Sequence, residues 1–223
     1  MKPSRPSSGL LKPLVFALCL VPLASLTLEA LGGGLGANPI ETITHTTGDW
    51  TLRLLLVTLT VTPLRELSGW SWPVRLRRML GLFAFFYGCL HLMTYVWFDK
   101  FFMWGEMAHD IVKRPFITVG MAAFVLLVPL AATSTNAMMR RLGRRWKPLH
   151  RMVYTIGILG VVHYLWLVKA DIRQPLIYGA LLALLLGYRL WRRWVRRRAA
   201  GAPGTAQGRS ARLPHRPAPS RTM

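Results

Sequence analysis

The chain has 223 residues, 52% of them hydrophobic, with 29 lysines and arginines against 8 acids and a formal charge of +21. So basic a chain suits either a nucleic-acid binder or an inner-membrane protein with basic cytoplasmic loops. The distribution excludes nucleic acid: Lys and Arg cluster between apolar runs of roughly 17 to 25 residues, the length that spans a bilayer, and no stretch remains for a soluble basic domain.

Residues 1–13 are short, polar and basic, and are expected on the cytoplasmic side. The first apolar run extends from Leu14 to about Leu35. It is long and lacks a small-x-small cleavage site, so it reads as a membrane helix and not as a signal peptide. Ala37 to Asp49 reads as a neutral-to-acidic loop and Trp50 to Pro63 as the second span. Arg65 to Arg78 reads as a basic loop and Met79 to Phe98 as the third span. From Asp99 to Arg114 aromatic residues alternate with acids, the pattern of a segment lying along the membrane surface.

Pro115 to Ala132, Leu149 to Val168 and Pro175 to Trp191 complete the set, with the basic loop Ser134–Lys147 between the first two. The expected architecture is an all-α, six-transmembrane-helix domain over residues 14–192, followed by a basic, disordered cytoplasmic tail over 193–223. The Lys and Arg clusters put both termini on the cytoplasmic side, and Trp50, Trp97, Trp146, Trp166 and Trp191 fall near span ends as an aromatic belt would. Cys19 and Cys89 sit in apolar runs, and no Cys-x-x-Cys pair exists for zinc or covalent haem.

Two histidines lie deep in apolar helices, where a lone polar ring is costly without a partner. His91 is 13 residues past Arg78 and His163 is 12 past Arg151, which places them ~20 Å and ~18 Å into spans that run in the same direction. Level imidazoles on parallel helices are what bis-histidine haem ligation requires. Gly88 and Gly160 each stand three residues before their histidine, leaving a smooth face for a porphyrin; glycine also serves ordinary helix packing in membranes. His150 is ~20 Å of helix rise away from His163 and cannot serve the same iron. It completes another haem alone, holds a different cofactor, or is an interfacial histidine with no ligand. Phosphate-binding, dinucleotide-binding and hydrolase motifs are absent, and membrane carboxylates are too few for a proton-coupled transporter.

The runs Asn38-Pro39-Ile40-Glu41-Thr42-Ile43-Thr44-His45-Thr46-Thr47-Gly48, Thr62-Pro63-Leu64-Arg65, Arg77-Arg78-Met79-Leu80-Gly81-Leu82, Lys113-Arg114-Pro115-Phe116-Ile117-Thr118-Val119-Gly120, Thr133-Ser134-Thr135-Asn136 and Trp146-Lys147-Pro148-Leu149-His150-Arg151 carry a resemblance. Over about residues 10 to 195 the chain resembles the MsrQ family, the haem-binding membrane subunits of bacterial periplasmic protein-methionine-sulfoxide reductase systems, within the ferric-reductase-like transmembrane superfamily. The resemblance implies a six-helix inner-membrane protein that binds haem b and FMN. It implies electron transfer from a cytoplasmic flavin reductase or the quinone pool to a periplasmic molybdopterin-containing catalytic subunit that reduces methionine sulfoxide.

His91, His150 and His163 match the family's haem-associated histidines. Arg77 stands where the wider superfamily has a second third-span histidine, against a conventional second bis-histidine haem. Arg77, Arg78 and His150 are the candidate anchor for anionic FMN. The chain ends soon after the sixth span, so a separate electron donor is expected. The role is that of an electron-transfer subunit and not of the catalytic sulfoxide-reducing one. Two other readings are a stand-alone ferric or metal-chelate reductase, and a transporter or assembly factor whose histidines only hydrogen-bond between helices.

Overall fold

The computed structural model describes residues 8–201, with side chains from 10 to 199. The expectations for residues 1–7 and for the tail beyond 201, His215 included, lie outside the described residues. Nine α-helices carry the described chain, and no strand occurs among the described residues: α1 (Ser8–Leu31), α2 (Pro39–Ser68), α3 (Pro73–Met93), α4 (Trp104–Lys113), α5 (Pro115–Ala132), α6 (Asn136–Leu142), α7 (Trp146–His150), α8 (Val153–Leu167) and α9 (Arg173–Gly201). A π-helical stretch, Thr94–Asp99, prolongs α3.

Among the described residues three segments are long and apolar enough to cross a membrane: Leu10–Leu31, Pro73–Asp99 and Pro115–Ala132; α8 is a shorter apolar helix. Only 17% of the first span and 22% of the third are buried within the protein. Leu14, Phe16, Leu18, Val21, Val125 and Val128 stand exposed on them, far more bare apolar surface than a water-soluble monomer carries. These faces are built for lipid.

Three of the expected loops are largely helix, Ser134–Lys147 among them, since α6, a 3-10 turn at Gly143–Arg145 and the start of α7 occupy it. The supposed first loop is the first three turns of α2: the Asn38 side chain accepts from the Glu41 N–H and donates to the Glu41 carboxylate at 2.9 Å, and Pro39 occupies the first turn. This is a reciprocal cap with a proline preset for helix. The supposed basic loop shrinks to Gly69–Trp72, because α2 continues to Ser68 and α3 starts at Pro73. Gly69 ends α2 with φ 72°, its N–H donating to Arg65 O, a left-handed cap that favours glycine. At the other end of the chain, residues 193–201, expected in the tail, are helical.

The core gathers Leu52, Leu55 and Leu59 of α2, Phe83, Ala84 and Tyr87 of α3, Leu127 of α5, Ile156 of α8 and Leu182 of α9. α2 packs chiefly on α3, and α5 on α8. A proline inside α1, Pro22, disturbs its ladder. Leu23 N–H, which would ordinarily bond Cys19 O, donates instead to the Tyr87 hydroxyl at 3.2 Å, and that hydroxyl donates to Cys19 O at 2.8 Å. Tyr87, 1% exposed, thus bridges the opened turn. Tyr87→Phe is expected to lower stability by about 1–3 kcal/mol, because both backbone groups lose their partner; thermal unfolding in detergent measures it.

Beyond the π-helical stretch the chain reverses through Phe101 and Phe102, both left-handed at φ 45° and 61°. Such conformations cost roughly 1–3 kcal/mol apiece. The turn is held by Phe102 N–H to Val96 O at 3.0 Å and by buried Asp110, whose carboxylate accepts from Lys100 at 2.7 Å and Arg114 at 3.3 Å. Lys100 foremost, with Arg114, holds the Asp110 carboxyl below the usual carboxylate range.

The described residues from Leu190 to Gly201 belong to a unit separate from the rest. Its described part is helical, and the Arg198 guanidinium lies 3.5 Å over the Trp194 ring.

Candidate functional site

A cavity of about 560 Å³ opens between α2, α3, α5 and α8, within the ~300–1,000 Å³ range of small-molecule and cofactor sites. Polar groups line it near the start of α2 (Asn38, Glu41, His45, Asp49), together with Asp99 and Arg114; Leu52, Leu55, Leu127 and Ile156 line its apolar part. From Asn38 to Leu55 along α2 is ~25 Å of helix rise, so the cavity reaches well into the bundle.

His91 of α3 and His163 of α8 both line this cavity, their ring centroids 6.1 Å apart and their planes at 79°. Each ring is anchored to the helix beside its own. His91 Nδ1 donates to Thr44 O of α2 at 2.9 Å, and His163 Nδ1 donates to Phe116 O of α5 at 2.7 Å. A carbonyl can only accept, so each Nδ1 carries the proton and each neutral ring presents the Nε2 lone pair. Neither Nε2 has a hydrogen-bond partner among the described residues. Thr94, at the start of the π-helical stretch, braces the first ring: its hydroxyl donates to His91 O at 2.7 Å and lies 3.1 Å from the Thr44 hydroxyl. Single π turns inside helices recur at functional sites.

Gly88 and Gly160 also line the cavity, and a Cβ on either would meet only ordinary contacts, at 3.6 and 3.5 Å. The tight glycines are Gly48 of α2 and Gly120 of α5. A Cβ on Gly48 would lie 3.0 Å from the His91 ring, and one on Gly120 would lie 2.6 Å from His163 Nδ1. Sequence reasoning passed over both, having looked for space on the ligand's own helix. No spacing within either helix marks them, because their role is toward a ring 43 residues further along the chain.

The remaining predicted residues lie apart from this pair. His150 is not in the cavity lining: its ring stacks on Trp146 at 3.9 Å, its Nδ1 donates to Trp146 O at 3.2 Å, and its Nε2 is buried without a partner among the described residues. Trp146 is itself fixed by Nε1 donating to Thr133 O. Arg78 is exposed and donates to Asn136 Oδ1 at 2.5 Å and to Met139 Sδ at 2.8 Å. Arg77 is half-buried near Arg189 and Tyr154, with no acid beside it among the described residues. Both arginines and His150 lie close enough to interact electrostatically.

Among the described residues no group of three or more His, Cys, Asp or Glu side chains is placed to hold a bare metal ion. Two opposed imidazoles suit a metal that brings its own in-plane ligands. Metal–imidazole bonds of ~2.0–2.1 Å, with each bonded nitrogen ~1.1 Å from its ring centre, need ring centres ~6.3 Å apart. The observed 6.1 Å and the two side-chain-free seats fit that requirement.

Residues 47–161 match the family model described as ferric reductase like transmembrane component. The chain is 57% identical over 198 residues to the protein-methionine-sulfoxide reductase heme-binding subunit MsrQ of Herminiimonas arsenicoxydans, covering 87% of this chain and 91% of that protein. It is 56% identical over 190 residues to the protein of the same name from Rhodospirillum rubrum (85% and 91% covered), and 54% identical over 194 residues to that of Bordetella pertussis (86% and 94% covered). No solved structure matches. Agreement this close over most of both chains means that the chain belongs to the MsrQ family of ferric-reductase-like membrane proteins.

Proposed function

We propose that this protein is the haem b electron-transfer subunit of a protein-methionine-sulfoxide reductase system, with His91 and His163 as the axial ligands. The observation that carries the reading is the pair of imidazoles on one cavity, ring centres 6.1 Å apart, each donating from Nδ1 to a carbonyl of the neighbouring helix and so leaving Nε2 as its available donor atom. The relatives' printed names, heme-binding subunit, agree with it. Haem, which His91 and His163 would hold, would supply one-electron chemistry suited to electron relay. The chain's own residues orient the rings, exclude water with Leu52, Leu55, Leu127 and Ile156, and offer Arg114 to acidic groups at the cavity's polar end.

Six spans, α1, α2, α3, α5, α8 and α9, would cross the bacterial inner membrane with both termini cytoplasmic. The acceptor in this reading is a periplasmic molybdopterin-containing catalytic subunit, and the donor a cytoplasmic flavin reductase or quinone. FMN belongs at the basic end, where Arg77 has no acid partner and His150 keeps a free Nε2.

The test is the visible spectrum of the purified protein, oxidised and dithionite-reduced, with cofactors extracted and identified. Sharp reduced bands of a six-coordinate b-type haem are expected. The Arg77→Ala/Arg78→Ala protein should lose flavin while keeping them. Protein made with ample haem yet lacking a Soret band would overturn the haem reading, and unchanged flavin would overturn the anchor.

A further inference from the structure

We infer that Gly48 and Gly120 are positioning residues that fix the tautomer and rotation of the two histidines, an inference that rests on the haem reading. In an α-helix the side chain of residue i+4 leans back over the turn containing carbonyl i. Gly48 stands four residues after Thr44, and Gly120 four after Phe116. With no side chain there, each carbonyl is open sideways to a donor from the neighbouring helix; the Thr47 hydroxyl, 3.0 Å from Thr44 O, shares that carbonyl but bonds Ile43 O more closely, at 2.8 Å.

The imidazole of the neighbouring helix slides into that opening and donates from Nδ1. The arrangement occurs twice. The acceptor lies 47 residues before His91 in one case and 47 before His163 in the other, and the helix pairs are the ones that pack most closely, α2 on α3 and α5 on α8. One seat is tighter: a Cβ would stand 2.6 and 2.8 Å from Nδ1 and Cε1 of His163, against 3.0 Å from both atoms of His91. The neighbour to be displaced is a rigid ring tied by its own hydrogen bond, so it has little room to give.

Two consequences follow for the axial pair. A hydrogen-bonded Nδ1–H makes the ligating nitrogen more basic, which favours the ferric state and lowers the potential. The two seats also hold the ring planes nearly perpendicular, at 79°. Perpendicular axial imidazoles give a ferric low-spin EPR signal dominated by one large g value, whereas parallel rings give a three-line rhombic signal.

The experiment compares full-length wild type, Gly48→Ala, Gly120→Ala and, as a control in open space on α9, Gly187→Ala, for haem content, EPR and midpoint potential, with circular dichroism for folding. Gly120→Ala is expected to lower haem affinity by about 10-fold or more, the range of lost outer-shell partners, with helicity intact. Gly48→Ala, the milder change, is expected to keep haem with a less anisotropic signal and a shifted potential. Gly187→Ala should match wild type. Wild-type EPR and potential in Gly48→Ala would overturn the inference, even were Gly120→Ala to misfold. His91→Ala and His163→Ala keeping haem would instead remove the haem reading itself; their losing haem while both glycine variants behave as wild type removes only this inference.

Discussion

His163→Gly, expressed with ample haem, is expected to lose the six-coordinate spectrum, with haem retention down by at least about 10- to 100-fold, and to recover it when free imidazole is added. The side chain supplies one of two opposed donors and contributes little else to the fold. Its ring lies 6.2 Å from the Phe116 ring, donates to the Phe116 carbonyl and rests on the side-chain-free face of Gly120. Removing it leaves an imidazole-sized space beside Gly120, with the same carbonyl ready to accept from the added ring's N–H. Losing an outer-shell partner alone costs 10–100-fold in metal affinity, so losing the ligand should cost no less. His91→Gly should behave alike beside Gly48 and Thr44 O. His109→Gly, on exposed α4, serves as the control. Optical titration with imidazole decides the matter: a His163→Gly protein with wild-type bands before any addition would show that the ring is not a ligand.

Arg189→Met is expected to destabilise the protein by about 2–3 kcal/mol, the size of a lost charge-assisted hydrogen bond together with a stranded buried acceptor. Pro63 has no N–H, so Leu59 O, four residues earlier in α2, lacks its ladder donor. Leu59 is fully buried, and Arg189 Nη2 donates to its carbonyl at 2.7 Å while Nη1 donates to the Tyr154 hydroxyl at 2.8 Å. Methionine fills the volume and leaves the carbonyl bare. Pro63→Ala restores an N–H at that position, so the double variant should recover part of the loss, a coupling of about 0.5–3 kcal/mol between residues sharing one acceptor. Strictly additive effects in thermal unfolding would mean that Arg189 acts in some other way.

Much of this fold is legible in the chain because hydropathy and helix geometry act locally. The apolar runs around Leu14, Met79 and Pro115 became helices with bare apolar faces, and counting residues from Arg78 and Arg151 was enough to level His91 with His163. The start of α2 was misjudged because residues 37–49 are too polar for a hydropathy reading; the signal was a cap, Asn38-Pro39-x-Glu41, and a cap ignores hydropathy. Gly48 and Gly120 were missed for a different reason. Their role exists only toward a ring 43 residues further along the chain, and spacing within one helix carries no record of it. His150 left three possibilities open, and the structure adds that its ring stacks on Trp146, outside the cavity lining.

The sequence by itself determined that this is a helical membrane protein with basic clusters between its apolar runs and two histidines placed at matching positions in apolar helices, since apolar length, charge distribution and 1.5 Å of rise per residue do not depend on neighbours. Only the tertiary structure decided which helix holds which ring, which nitrogen of each imidazole is free, and which glycines leave room for them. Those follow from hydrogen bonds and contacts between segments distant in the chain, and they arise only when α2 closes on α3 and α5 on α8.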